Sequence, residues 1–312
     1  MLYVFALLGV LAISFSAIFV RLADVSPITA TFFRTAYAVP VLAIIWAVQS
    51  RRRTRLGLAP RVRRERVLAF VSGLILAADL ILWHESIALV GAGLGTVIAN
   101  VQVVFVAIAA WALYGERPSP GTWTVIAAVL CGIALTSGFA QSNAYGSDPM
   151  LGAIIGLIGG VVYGAFLLVF RAANASLAPP AAPLLDSTVG AVVGALVCGV
   201  FDPHFALMPV WPAHLWLVLL ALTSQVAGWL LISIALPRLP SVETSIMLLG
   251  QPIFTVIWGL WIFDERLSGI QWAGSALVLA GVAVLSVSRA RASGEPKRST
   301  TEVTGDTEKK YF

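Results

Sequence analysis

Tyr114-Gly115-Glu116-Arg117, followed by Trp123 and Gly132, is written a second time as Phe263-Asp264-Glu265-Arg266, followed by Trp272 and Gly281. One offset of 149 carries Glu116 onto Glu265, Arg117 onto Arg266, Ser119 onto Ser268, Trp123 onto Trp272 and Gly132 onto Gly281. Run backward, it places Gln102 on Gln251 and Thr96 on Ser245. Nearly everything around these residues is apolar. Internal repeats in such a chain are the mark of many secondary transporters, whose binding site lies between the halves near the bilayer midplane.

Hydrophobic residues make up 59% of the 312 residues and charged residues only 11%. No soluble domain of this length covers that much apolar surface with one core. Ten apolar runs read as helical spans, near 3–22, 27–49, 67–89, 92–114, 121–139, 150–171, 181–200, 214–236, 241–262 and 269–288. Runs near this length cross about 30 Å of hydrocarbon. Pro27, Pro149, Pro183 and Pro240 fall near helix starts, where a missing N–H costs little. The first run lacks a basic leader and a small-residue cleavage site, so it reads as a retained span. Cys131 and Cys198 lie inside apolar runs and read as packing residues.

Lys and Arg set the orientation. The 50–66 connection holds Arg51, Arg52, Arg53, Arg55, Arg61, Arg63, Arg64 and Arg66. With that connection in the cytoplasm, both termini are cytoplasmic. Arg117, Arg171, Arg238 and the tail cations join it, leaving Arg21 and Arg266 outside and Arg34 within a span. The basic pI therefore reflects topology and lipid headgroups, and no nucleic acid partner is expected. Five spans per half force the second copy to enter the membrane from the other side. The halves also match where Pro27-to-Arg34 meets Pro179-to-Asp186 and where Ser86-Ile87-Ala88-Leu89 meets Ser233-Ile234-Ala235-Leu236. The expected organisation is a first five-helix repeat over 1–139, a second, inverted repeat over 150–288, and a disordered cytoplasmic tail over 289–312.

This pattern resembles the EamA-type exporters of the drug/metabolite transporter superfamily. Within it, the chain looks most similar to bacterial exporters of aromatic amino acids. The residues that carry the resemblance are Pro27-to-Arg34, Gly115-Glu116-Arg117 with Asp264-Glu265-Arg266, and Gly250-Gln251-Pro252. It covers about 1–288 and omits the tail. It implies an all-α integral membrane protein of ten helices in two inverted repeats, multi-pass in a bacterial inner membrane. It also implies alternating-access export of neutral or aromatic amino acids and related small metabolites through a central cavity. The protein would be a monomer, or a homodimer through spans 5 and 10.

Ionisable groups at membrane depth are costly and by default functional. Arg34 and Asp79 fall at similar depths in spans 2 and 3, as either a structural ion pair or a hold on a substrate carboxylate. His84 is turned away from Asp79 on the helical wheel. It is either hydrogen-bonded near the outer interface or, like Asp79, a titrating group in a proton-coupled cycle. Asn100 and Thr96 share a face of span 4, where Asn100 suits a zwitterion or an interhelical bond. Gln102 points elsewhere, and its partner Gln251 admits symmetric packing. Pro252 clashes with the Leu248 carbonyl and Gly250 loosens the same turn, so span 9 should kink there as a hinge or as simple shape. Tyr163, among glycines of span 6, and the deeper Trp83, Trp229 and Trp258 either line a cavity or pack the core. Asp186 is a helix cap or a functional acid.

No Walker A sequence, H-E-x-x-H, G-x-S-x-G or Cys/His metal spacing occurs. The chain is therefore not read as an enzyme, and no metal or cofactor is expected. A membrane-embedded transferase would cluster its acids or histidines at one face, whereas His84, His204 and His214 are scattered. A drug or nucleotide-sugar carrier of the same fold is the alternative. Nucleotides would call for more cavity cations than Arg34.

Overall fold

The computed structural model describes residues 2–55, 61–114, 120–138, 141, 143–174, 181–235 and 247–294, and contains no strand among them. Glu116, Arg117, Ser119 and the tail beyond Gly294 lie outside the described residues. Among the described residues eight helical stretches are long and apolar enough to cross a membrane, and two shorter apolar helices, Pro120–Thr136 and Gly250–Phe263, join them. Lipid offers no partner to a backbone N–H or C=O, so a chain of this composition must satisfy those groups within each helix.

In chain order the helices are α1 (Leu2–Ser14), α2 (Ser16–Ala23), α3 (Pro27–Ala36), α4 (Ala38–Arg55), α5 (Arg63–Val90), α6 (Ala92–Ala99) and α7 (Gln102–Tyr114). Then come α8 (Pro120–Thr136), α9 (Pro149–Ala173), α10 (Ala181–Gly199), α11 (Ala213–Leu219), a π-helical stretch (Leu220–Gly228) and α12 (Trp229–Ala235). The last two are α13 (Gly250–Phe263) and α14 (Gly269–Gly294). Pro27 and Pro149 open α3 and α9 as expected, each behind a side-chain cap. Ser26 Oγ accepts from Thr29 N–H at 3.2 Å, and an Asp148 oxygen accepts from Leu151 N–H at 3.0 Å.

Several boundaries depart from the apolar runs. Helix α5 starts at Arg63, inside the basic connection, because Arg and Glu are good helix formers once a helix is nucleated. Helix α14 continues to Gly294, six residues past the apolar run that ends at 288. Among the described residues five runs are also interrupted inside: at Phe15, at Tyr37, at Asn100–Val101, across the π-helical stretch and at Leu249.

Helix α5 packs between α9 and α10, and α1 packs against α12 and α13. To one side, α8 pairs with α14. There a Cβ on Gly132 would stand 2.8 Å from both the Gly274 carbonyl oxygen and the Val278 side chain, and one on Gly281 would stand 2.4 Å from the Val129 side chain, so the seam has no room for either. Cross-membrane association gains from such van der Waals contact because lipid removes the usual hydrophobic drive. At one end of the bundle Asp186 accepts from Arg61 at 2.6 Å, with Arg66 at 3.8 Å. Arg61 also donates to the Ala173 carbonyl at 3.5 Å. Asp186 thus clamps the basic segment onto α10 instead of capping a helix.

Replacing Gly132 with Leu is expected to cost about 1–3 kcal/mol by overpacking the α8–α14 seam. Gly269→Ala, where nothing lies within 4 Å, should stay within about 0.5 kcal/mol of the native protein. Thermal unfolding in detergent compares the two; equal midpoints would mean the seam is not close-packed.

Candidate functional site

A cavity of ≈ 360 Å³ lies among α1, α2, α3, α5, α6, α7, α9, α12, residues 248–251 and α14. Its walls are mostly apolar, with Leu76, Leu80, Val103, Leu167 and Ile232 among them. Among the described residues two charged side chains reach it, Arg34 and Asp79, exposed by only 4% and 6%. A lone charge at this depth would be costly, and each is placed by its own helix.

Arg34, from the last turn of α3, does not pair with Asp79. Its Nε donates to Gln225 Oε1 at 3.1 Å and its Nη1 donates to Ser16 Oγ at 2.8 Å. Its guanidinium carbon lies 5.8 Å from the centroid of the Trp83 ring, within cation–π range. Two neutral acceptors thus stand in place of the structural ion pair, one of the two readings of these residues. Gln225 reaches Arg34 from the π-helical stretch and also donates to Thr188 Oγ1 at 3.4 Å. Among the described residues no hydrogen bond or ion pair engages the Asp79 carboxylate, which stays available to the cavity. Ser16 and Gln225 were not singled out from sequence. The signal that could have found Gln225 is a lone amide inside an otherwise apolar run.

Trp83, Asn100, Tyr163, Trp229 and Gln251 line the cavity with Thr96. Asn100 Nδ2 donates to the Thr96 carbonyl at 2.8 Å, which spends one amide hydrogen locally. Gln102 lines the cavity too, contrary to the helical-wheel expectation. The break at Asn100–Val101 rotates the next helix about its axis, so a regular wheel mis-aims Gln102. Its Oε1 is buried with no partner. Helix α13 begins at Gly250 after an interruption at Leu249, where the Pro252 ring forbids a continuous helix through Leu248.

His84 is not part of the lining. It is buried, with Nδ1 3.0 Å from Thr31 Oγ1 and 3.3 Å from the Pro27 carbonyl, and it ties α5 to the start of α3. Trp258 also lies outside the lining; its Nε1 donates to Ser14 Oγ at 3.0 Å and its ring stacks on Phe15 at 4.8 Å. Among the described residues no three His, Cys, Asp or Glu side chains gather as a metal site would need.

Among the described residues the site thus offers a fixed cation, an unpaired carboxylate, amide groups and aromatic faces in one mostly apolar space. Comparisons with known proteins agree at the level of class. The model of the EamA-like transporter family matches residues 1–138 and 150–287. An uncharacterized transporter of Synechocystis sp. is 25% identical over 217 residues, 69% of this chain and 64% of that protein. The chain thus spans under two thirds of that relative's length. The uncharacterized transporter YwfM of Bacillus subtilis is 24% identical over 220 residues, 70% of this chain and 73% of its own. A solved crystal structure aligns with TM-score 0.55 at 16% identity, over 94% of this chain and 98% of its own, which is a likeness of fold.

Gln225→Leu leaves Arg34 Nε–H without its acceptor. The expected loss is about 1–3 kcal/mol of stability, read as a lowered unfolding midpoint in detergent. An unchanged midpoint would mean that water in the cavity solvates Arg34 equally well.

Proposed function

Since the chain belongs to the EamA-like transporter family, we propose that it exports neutral, chiefly aromatic, amino acids and related small metabolites across a bacterial inner membrane. The carrying observation is the cavity's pair of charges, Arg34 already anchored and Asp79 free, set among Trp83, Tyr163 and Trp229. Arg34 would receive the substrate carboxylate through its planar fork, and Asp79 the ammonium group. The aromatic faces would take the side chain, with Asn100 and Gln251 completing the polar contacts. A volume of ≈ 360 Å³ sits at the small end of the range of about 300–1,000 Å³ usual for small-molecule sites. A nucleotide-sugar carrier is disfavoured, because Arg34 is the lone cation among the described lining residues.

The cycle is alternating access between two inverted five-helix repeats, ten spans in all, with both termini cytoplasmic. Two geometric relations support this reading. The offset of 149 carries the break at Asn100–Val101 onto Leu249–Gly250, so both interrupted helices border the cavity at matching positions. The same offset carries Val129 onto Val278. The contacts Gly132–Val278 and Gly281–Val129 are then one contact repeated by a pseudo-twofold axis. Broken helices at the midplane are where such transporters bind and bend. Gly250 and Pro252 would act as the hinge. If protons drive the cycle, Asp79, which faces the cavity, is a better carrier than His84, which does not.

Purified protein in liposomes, given radiolabelled phenylalanine, threonine and a nucleotide sugar with and without a pH gradient, tests the reading. Saturable phenylalanine flux is expected, falling roughly tenfold or more in Arg34→Ala and Asp79→Asn, the scale of one lost charge-assisted contact. Trp83→Ala should cost phenylalanine more than threonine. Amino acid flux no greater than in empty liposomes, with nucleotide-sugar flux present, would transfer the protein to the other class of carrier.

A further inference from the structure

The cavity does not reach the end of the bundle that carries Glu265. Along α2, α5 and α6, Ile18, Ile87 and Leu94 separate the lining residues Ser16, Trp83 and Thr96 from the Glu265 end, and each is 1% exposed or less. Over this plug sits a carboxylate that the transport site does not use. The α13 helix ends on Asp264, at φ +50°, and Glu265 N–H turns back to the Gly259 carbonyl at 3.3 Å. That turn points the Glu265 side chain into the bundle, where the residue is 1% exposed. Its Oε1 accepts from Ala92 N–H at 2.7 Å and from Arg21 Nη1, and its Oε2 accepts from Gly93 N–H at 3.1 Å. Arg21 in turn lies over the Phe263 ring at 4.0 Å.

The seat is built for a carboxylate. Gly91 holds φ +91°, and a Cβ there would stand 2.8 Å from Glu265 Oε1; a Cβ on Gly259 would stand 2.5 Å from Oε2. The anion caps the N-terminus of α6, where free N–H groups and the helix dipole favour negative charge. It therefore joins three separate pieces at one end: the end of α2, the start of α6 and the α13–α14 turn. The first two belong to the first half of the chain, and the turn belongs to the second.

We propose that Glu265, seated between Arg21 and the start of α6, is the latch that holds the cavity shut toward this end, and that it must leave its seat when the cavity opens there. The proposal rests on the transporter reading, because only an alternating cavity needs a contact that breaks. A latch must bridge the two halves, since opening parts them, and this contact does. Charge-assisted bonds suit this role: they hold strongly while desolvated and are replaced by water once the seat is open.

The test reads accessibility, not flux, so it stands whether or not an amino acid is carried. In a protein with Cys131→Ala and Cys198→Ala, a reporter Ala99→Cys in the cavity is labelled in vesicles by a membrane-impermeant maleimide applied from the Glu265 end. Met208→Cys, 89% exposed at that end, reports reagent access and sidedness. With the latch intact, Ala99→Cys should label slowly. Glu265→Gln and, independently, Arg21→Ala should speed it roughly tenfold, as a shifted two-state equilibrium would, with Met208→Cys unchanged. If Glu265→Gln does not fold, Arg21→Ala leaves the carboxylate seated on α6 and decides the matter alone. Unchanged labelling of Ala99→Cys in a folded variant, even with a lowered unfolding midpoint, would make Glu265 a structural staple and overturn the proposal.

Discussion

A buried guanidinium sets the terms of this molecule. Arg34 stands on a helix deep inside an apolar bundle, and its charge has to be solvated by protein. Ser16 answers from the first apolar run and Gln225 from a π-helical stretch nearly two hundred residues away in sequence. Those two bonds pull α2, α3 and the π-helical stretch to one point. Because they are satisfied by neutral partners, Asp79 has no hydrogen bond or ion pair among the described residues, and the cavity holds an unpaired carboxylate together with a fixed cation.

The remaining architecture obeys the limits on irregular backbone in lipid. Backbone groups freed by a helix break cannot face hydrocarbon, so breaks survive only against protein or a polar space. The interruptions at Asn100–Val101 and Leu249 both border the cavity. The lateral α8–α14 pair is uninterrupted and joined by glycine–valine contacts. These two breaks thus lie at the cavity, and the unbroken pair lies to its side.

Much of this was legible in the residues alone. Hydropathy located the apolar segments, and proline fixed the starts of α3 and α9. Asp79, Trp83, Asn100, Tyr163 and Gln251 were found because polar or aromatic groups are conspicuous in apolar helices. Relations without a period could not be read. The partners of Arg34 come from distant segments, and the orientation of Gln102 depends on a break that no wheel assumes. The Asp186–Arg61 clamp joins a loop to a helix through long side chains. The seat of Glu265 depends on backbone N–H groups, which leave no letter in the sequence.

The π-helical stretch Leu220–Gly228 has a bearing on the wall beyond it. A π turn holds more residues than an α turn, and each residue of an α-helix turns the chain by about 100°. Trp229 and Ile232 come directly after this stretch and face the cavity. Their heading is thus set by a count of residues upstream, and not by their own packing alone. Removing one residue from that stretch would act less like a shortening than like the turn of a screw. It would swing an aromatic face of the chamber toward lipid and bring another side chain in its place.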